Sequence, residues 1–311
     1  MMEPYLFVII TYKFKILSLE VPFPLEAVTF VKCCPANNMT ILVLSELPLE
    51  QHAPVAAQMM AYAHLHAEQV GFVSASPQPG VSARLSMAGG EFCGNAALSL
   101  AACLASQCQL PPGDPWELAV EVTGAEAPIA CRVEKAVDDY ICEAAMPLPR
   151  AIEHVVLPFE GRSLEVGIVR YRGSFHLVVD LEHCPLDPPE AERLARLLGV
   201  ASGEALVGVM LYQSATHEMT PLIYLPALDS LIWEQGCGSG SASLGSYLAW
   251  RQEAPIQLDL VQPGGTIGVT AACSGYRLAS VRIKSRVSIV ATGTAYVRAS
   301  IHYPQLSGGI L

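Results

Sequence analysis

Short apolar stretches recur along the whole chain, and most have the length and β-branched content of strands. In the first half, four-to-seven-residue runs are separated by Gly, Pro and Asn. The predicted strands of this half lie at 28–31, 40–44, 70–76 and 81–87, and in the segments LAVEVTG, IACRVEK and YICEAAMP. LAVEVTG and IACRVEK form a predicted hairpin. Between these strands, helix formers predict helices at 54–69 and from 94 to about 104.

From about residue 150 a similar order begins again. The predicted strands are RSLEVGIVRYRG, SFHLVVDL, EALVGVMLYQ, TPLIYLPAL, IQLDLVQPGG, TIGVTAAC, YRLASVRIKS and SIVATGTAYVRASI. A helix is predicted at 188–199, with Pro near its start and Gly at its end, and another from 238 to about 250. The mixed order predicts an α+β fold of two similar halves, each a mainly antiparallel sheet wrapped around one central helix.

Composition narrows the class of protein. The 311 residues are 52% hydrophobic and 15% charged, with a net charge of −11. The acidic balance and the lack of a basic cluster argue against nucleic acid binding. No apolar run is long enough for a membrane span. The apolar run 6–10 has no basic residue before it and lysines after it, which predicts a short strand or an accessory extension rather than a signal peptide.

The ten cysteines do not form any C-x-x-C pair, so a zinc cluster is not expected. In a chain of this length they do not indicate a disulfide-stapled scaffold either. Most are predicted to be small core residues in a reducing cytoplasm.

Two of the cysteines stand in matching contexts. Residues 91–102 read EFCGNAALSLAA and residues 236–247 read GCGSGSASLGSY, so that Cys93 and Cys237 each precede a glycine and a run of small residues. Each stretch opens a predicted helix. This paired pattern predicts a two-sided site.

The start of a helix carries unpaired N–H groups and a partial positive charge, which suit an anion. Gly94 and Gly238 would let a ligand approach the backbone, while Asn95 and Ser239 could add side-chain hydrogen bonds. A cysteine at a helix start is expected to have a lowered pKa. If the two stretches face each other, a carboxylate is held between them, one thiolate takes its α-proton and the other thiol returns a proton to the opposite face.

The cysteine stretches also have other interpretations. A single cysteine before a helix of small residues most often has only a structural role in the packing of that helix. A cysteine nucleophile assisted by His176 leaves the second cysteine unexplained. Pyridoxal phosphate needs a Schiff-base lysine, and none of the five lysines lies in a phosphate-binding context, so no cofactor and no metal are expected.

At these residues the sequence resembles the diaminopimelate epimerase family of cofactor-independent amino-acid racemases. The resemblance rests on Cys93-Gly94-Asn95 and Cys237-Gly238-Ser239-Gly240 and extends weakly from about 25 to 298. It implies that Cys93 and Cys237 are the paired acid and base. It also implies a substrate-facing Asn38, a contribution from Glu68 and Gln69, and a place for His176 near the site. The segment VATGTAYV resembles a last strand that returns to the first domain.

The resemblance therefore implies a diaminopimelate epimerase-like fold in two domains. The first spans 1–137 and carries Cys93, with the strand 285–303 returning to it. The second spans 138–284 and carries Cys237.

The sequence differs from the family at positions that bind the far end of the substrate. Where diaminopimelate epimerases have a Glu-Arg pair and an Asn, this chain has Leu228, Asp229 and Ser174. Loss of that polar clamp argues for another substrate. GGEFCGNA and EQGCGSG look more like the histidine racemases of staphylopine-type metallophore pathways, which implies L-histidine as substrate. Glu234, and also Trp233, are then candidates for contact with an imidazole.

These expectations describe a cytoplasmic isomerase acting on a small amino acid, without cofactor or nucleic acid and not bound to a membrane. A homodimer is an open option. Within the class, the alternatives are a diaminopimelate epimerase or a racemase of another amino acid. Outside it stand a phenazine-biosynthesis-type isomerase, which lacks the paired cysteines, and a non-catalytic carboxylate-binding protein.

Overall fold

The computed structural model describes residues 25–108 and 110–298. The predicted strand or extension at residues 6–10 lies outside these ranges, as do the last residues of the returning strand predicted at 285–303. In the described part of the chain, none of the helices is both long and apolar enough to cross a bilayer.

Strands make up most of the described structure. They are β1 (Leu25–Pro35), β2 (Thr40–Val43), β3 (Gln69–Ser74), β4 (Ala83–Met87), β5 (Pro115–Val122), β6 (Ile129–Lys135), β7 (Tyr140–Ala145), β8 (Ala151–Phe159), β9 (Arg162–Tyr171), β10 (Ser174–Asp180), β11 (Leu206–Gln213), β12 (Glu218–Leu225), β13 (Ser230–Trp233), β14 (Ile256–Gln262), β15 (Gly265–Ser274) and β16 (Arg277–Arg298). The α-helices are α1 (Leu49–Met60), α2 (Gly94–Gln107), α3 (Pro188–Ser202) and α4 (Gly238–Gln252), and a 3₁₀ turn covers Pro226–Leu228.

The strands form one continuous hydrogen-bonded path with two similar parts. In the first, β1 to β7 follow one another in order, and β16 pairs with both β7 and β1, which closes the sheet around α2. In the second, the order β16-β15-β14-β12-β11-β10-β9-β8 surrounds α4. The long strand β16 is therefore shared by both parts.

The two parts have the same local topology. The pairs β2–β3 and β10–β11 are parallel and are connected through α1 and α3. The pairs β4–β5 and β12–β14 are parallel and are connected through the central helices α2 and α4. The other pairings between these strands are antiparallel. This arrangement confirms the predicted α+β fold of two similar, mainly antiparallel halves.

Both central helices are buried because their sequences are apolar or small on every side, as expected for a helix enclosed by a sheet. In α2, eleven residues from Gly94 to Ala105 are buried. Alanine, serine and glycine keep α4 equally slim, and a β-carbon at Gly245 would lie 2.5 Å from Val269. Slim helices allow the surrounding strands to approach closely.

Several predicted boundaries were wrong. The helix predicted at 54–69 is α1, which begins at Leu49, runs through Pro54 and ends at Met60. Its buried face is His52, Val55, Ala56 and Met59, a helical spacing that begins before the proline. The prediction rested on the helix formers of 54–69, whereas the helix begins five residues before Pro54. His64 and His66, expected on that helix, lie in the turns after it.

Other elements were missed, merged or shortened. Helix α3 passes Gly199 and ends at Gly203, whose positive φ of 70° suits a left-handed cap. Strands β8 and β13 were not predicted, and the last two predicted strands are one strand, β16. One hydrophobic cluster includes residues of both α2 and α4. The predicted domain boundary at 137/138 stays a prediction.

Candidate active site

The two cysteines that begin the central helices occupy equivalent positions. Cys93 and Cys237 are both N-cap residues with extended backbone, at φ −125° and −115°. The Sγ of Cys93 accepts the N–H of Ala96 at 3.3 Å, and the Sγ of Cys237 accepts the N–H of Gly240 at 3.2 Å. In each case sulfur takes the place of the oxygen that usually caps a helix.

The two helix starts converge on a single side chain of β16. A β-carbon on Gly94 would lie 2.8 Å from Cδ1 of Ile283, and one on Gly238 would lie 2.9 Å from the same atom. The Gly238 β-carbon would also lie 3.1 Å from Oδ1 of Asn95. The two glycines therefore lie on either side of the same side chain, and the first turns of the two helices come together.

The two halves are joined at the carbonyl of Gly236, directly before Cys237. Nδ2 of Asn95 donates to this oxygen at 2.8 Å, and Nδ2 of Asn38 donates to it at 3.1 Å. Asn38 is only 1% exposed, and its Oδ1 accepts a hydrogen bond from Gln69. Both ends of the Asn38 amide are thus bonded to protein groups. Oδ1 of Asn95 is buried and has no protein partner.

Gln69 is the direct partner of the first thiol. The Sγ of Cys93 lies 2.6 Å from Oε1 of Gln69 and donates to it. The amide nitrogen of Gln69 donates to Asn38 and, at 3.3 Å, to Oγ1 of Thr40. This chain of hydrogen bonds fixes the orientation of Gln69, and it aims the thiol proton of Cys93 at a neutral acceptor.

Glu234 is the partner of the second thiol. Its carboxyl group interacts with Cys237, and its charge also acts on Cys93. Burial raises the pKa of Glu234 to about 7, the contact with Cys237 lowers it, and the charge of Glu68 raises it further. Glu234 is therefore a carboxyl group whose protonation can change near neutral pH and whose charge acts on both thiols.

The prediction that the helix starts lower the thiol pKa was wrong. Burial raises the pKa of Cys93 to about 12, and the N–H of Ala96 opposes this only in part. Burial and the charge of Glu234 raise the pKa of Cys237 well above its usual value. The loss of water and a neighbouring carboxylate outweigh the helix dipole. At neutral pH both groups are thiols, and each needs a base before it can accept a proton.

Glu68 stands apart from the buried residues. Its side chain is exposed, and its backbone N–H donates to Met39 at 2.9 Å. Partial burial still raises the pKa of its carboxyl group. The charge of Glu68 acts on Glu234, so this exposed carboxylate lies near enough to the site to influence it.

His176 lies beneath the second helix start. Its Nδ1 is 2.6 Å from Oγ of Ser243, and the ring interacts with the backbone of Ser239. Burial lowers the pKa of His176 to about 4, so the ring is neutral. Oγ of Ser239 lies 3.4 Å from the Sγ of Cys237. Among the described hydrogen bonds, His176 does not contact either sulfur directly.

Sequence reasoning missed several residues around Cys237. The N–H of Cys237 donates to Oε1 of Gln262 at 2.8 Å, and Nε2 of Gln262 donates to Ser241 at 2.9 Å. The hydroxyl group of Tyr171 lies 3.0 Å from Ser243. Gln262 was predicted only as part of the strand IQLDLVQPGG. The signal that could have identified it is its spacing, because Gln262 continues the inward-facing series Ile256, Leu258 and Leu260 of an alternating strand.

Two residues from the sequence analysis face away from the site. Trp233 donates through Nε1 to Glu192 of α3 at 2.9 Å, so it is not available for an imidazole in the cleft. Asp229, at the position of the lost clamp, is bound by Arg196 of α3 and by the hydroxyl group of Tyr224. Trp233 and Asp229 are both bonded to other side chains, so neither is free to hold the far end of a diaminopimelate substrate.

The site thus combines two protonated thiols, two helix starts and one titrating carboxyl group. Residues 27–296 match the family model described as the histidine racemase CntK N-terminal domain. The histidine racemase of Staphylococcus aureus strain Mu50 is 32% identical over 275 residues, which covers 88% of this chain and 98% of that protein.

Solved structures share the fold at low sequence identity. A probable proline racemase from Agrobacterium radiobacter K84 has a TM-score of 0.64 at 12% identity and covers 86% of this chain and 92% of its own. A Bacillus anthracis phenazine biosynthesis protein of the PhzF family has a TM-score of 0.62 at 14% identity and covers 87% of this chain and 99% of its own. From the family match and the identity to the curated relative, the chain belongs to the histidine racemase family and is an isomerase.

Proposed function

We propose that the protein interconverts L- and D-histidine by a two-thiol mechanism without a cofactor. The observation that carries this proposal is the pair of sulfur-capped helices whose first glycines meet at Ile283. The α-carboxylate of the substrate binds the N–H groups of Gly94, Asn95, Gly238 and Ser239. The α-carbon then lies between the sulfurs of Cys93 and Cys237.

The proton balance uses one carboxyl group and two thiols. The thiol of Cys237 passes its proton to the ionised Glu234, and the resulting thiolate removes the α-proton. Cys93, whose S–H points to Gln69, delivers its proton to the opposite face of the carbanion. The helix starts stabilise the charge that spreads into the carboxylate. This step leaves Cys93 as the thiolate, Cys237 as the thiol and Glu234 protonated, and in that state the other enantiomer reacts in reverse, with Cys93 as the base and Cys237 as the acid. Proton exchange between Glu234, Cys93 and solvent restores the starting state.

The charge of the cleft supports histidine as the substrate. Glu234 and Glu68 are close enough for their charges to interact, and together they favour a ligand with a positive α-ammonium group and a basic ring. The S. aureus relative is named a histidine racemase. Neither Asp229 nor Trp233 offers a distal clamp, which disfavours diaminopimelate.

Solvent exchange tests this function directly. L-histidine incubated with the protein in deuterium oxide should lose its α-proton signal, and chiral chromatography should show D-histidine approaching a 1:1 mixture. Diaminopimelate and the other L-amino acids, tested in parallel, should react at least tenfold more slowly. Binding of histidine without exchange would favour a carboxylate-binding protein, and faster reaction of diaminopimelate would favour an epimerase of that substrate.

Oxidation is expected to stop the reaction reversibly. Sulfurs that flank one carbon are close enough to form a disulfide after small movements, which would remove both the acid and the base. We expect mild oxidant to abolish racemisation, dithiothreitol to restore it, and mass spectrometry to map a Cys93–Cys237 link. Full activity in the presence of that mapped link would contradict the mechanism.

The cellular location, the pathway and the partners of the enzyme are also proposals. Two thiols that must stay reduced fit a cytoplasmic enzyme. Supply of D-histidine to an opine-type metallophore is implied only by the resemblance of the motifs. A homodimer and the absence of a nucleic acid partner stay predictions.

A further inference from the structure

The turn between β1 and β2 enters a slot in the other half of the molecule. Ala36 and Asn37 have positive φ angles of 45° and 58° and form the tip of this turn. A β-carbon on Gly236 would lie 2.6 Å from the carbonyl oxygen of Ala36, and one on Gly264 would lie 2.5 Å from the same oxygen. Both distances are too short for a real contact, so only glycine leaves room for the turn.

Gly264 lies in the segment 262–266, QPGGT, whose first residue Gln262 is bonded to Cys237. A β-carbon on Gly264 would also lie 2.6 Å from Cβ of Asn37 and 2.9 Å from Cβ of Gln235. The N–H of Gly264 donates to the carbonyl of Gln235 at 2.7 Å, which fixes this glycine beside Gly236. The slot is therefore built from two separate segments of the second half.

The same turn continues into the hydrogen bonds around the second cysteine. Asn38 follows the tip and donates to the carbonyl of Gly236, and Asn95 from the first helix start donates to the same oxygen. Gly236 precedes Cys237 in the chain. Movement of the turn out of the slot would therefore shift Gly236 and, through the peptide bond, Cys237.

We propose that the Ala36–Asn37 turn and the slot formed by Gly236 and Gly264 are a lock that sets the distance between the two thiols. The lock rests on the proposed two-thiol function, and it adds three positioning residues that do not touch the substrate: Ala36, Gly236 and Gly264. A backbone oxygen is the obstructed atom, so a side chain cannot simply rotate away when a β-carbon is added. The turn must withdraw, and the halves must separate at this point.

Gly264→Ala tests the lock, because position 264 is remote from both cysteines in the chain and its φ is not positive. We expect this variant to retain a cooperative thermal transition. Racemisation should show a kcat at least tenfold lower with a smaller change in KM. Oxidative formation of the Cys93–Cys237 disulfide, measured by mass spectrometry at a fixed pH, should slow by at least tenfold.

Gly293→Ala is the matched control, since a β-carbon there would meet only Phe30, at 3.7 Å. It should keep the kcat and the disulfide rate of the unmodified protein. Equal disulfide rates in Gly264→Ala and Gly293→Ala would overturn the lock, as would a loss of kcat explained entirely by unfolded protein. The disulfide rate does not depend on histidine, so it remains informative even if histidine is not the substrate.

Asn38→Asp provides a second test if Gly264→Ala does not fold. The substitution keeps the size of the side chain and replaces the group that donates to Gly236 with an acceptor. Repulsion between the two oxygens should release the turn and slow the disulfide by a similar factor. An unchanged disulfide rate in a folded Asn38→Asp protein would contradict the proposal.

Discussion

Replacing either Cys93 or Cys237 by serine is expected to lower the rate of racemisation by about 10³-fold, within the range that general acid–base groups contribute. A serine hydroxyl is a far weaker acid than a thiol and cannot supply an equivalent base. Serine is also a favoured N-cap residue, so both helices should still begin at the same positions. The loss of activity should therefore occur without loss of the fold, as judged by thermal unfolding.

The two variants should also separate the two half-reactions. With Cys93→Ser, the remaining thiol at Cys237 can remove and return a proton on one face only. That variant should exchange deuterium slowly into one enantiomer without inverting it, and Cys237→Ser should do so with the opposite enantiomer. Cys108→Ser, which alters an exposed thiol at the far end of α2, is the control and should retain full activity. Exchange of the same enantiomer by both variants would contradict the two-face arrangement.

The sequence was sufficient to predict the part of the site that depends on local pattern. The repeated context of Cys93 and Cys237 predicted two helix starts, and both sulfurs do cap a helix. The alternating strands predicted two similar sheet-wrapped halves. Each of these features is determined by residues close together in the chain.

Contacts between segments that are distant in the chain could not be predicted in this way. The local sequence does not show why Gly236 and Gly264 are glycines, and the packing of the Ala36 carbonyl explains both. Gln262 was predicted only as a strand residue, and its hydrogen bond to the distant Cys237 depends on the tertiary structure. The thiol pKa values were misjudged because the helix dipole is visible in the sequence, whereas burial and the charge of Glu234 depend on tertiary structure.

The corrected pKa values make Glu234 the second residue whose loss should have a large effect. Both thiols are protonated near neutral pH, and a group beside Cys237 must accept its proton before the α-carbon can react. Glu234→Gln removes that acceptor with little change in size, and we expect kcat to fall by about 10²-fold at pH 7. Glu117→Gln, at an exposed position on β5, is the control and should leave kcat unchanged.

The pH dependence separates this role from a purely electrostatic one. Since the pKa of Glu234 is about 7, activity of the unmodified protein should rise as pH increases through that value and the carboxyl group loses its proton. In Glu234→Gln this limb should vanish, and activity should appear only at strongly alkaline pH, where a thiol ionises unaided. The charge of Glu234 raises the pKa of both thiols, so a residue acting through charge alone would give the opposite result. Its removal would then ease thiol ionisation and increase activity at pH 7, and that outcome would exclude Glu234 as the proton acceptor.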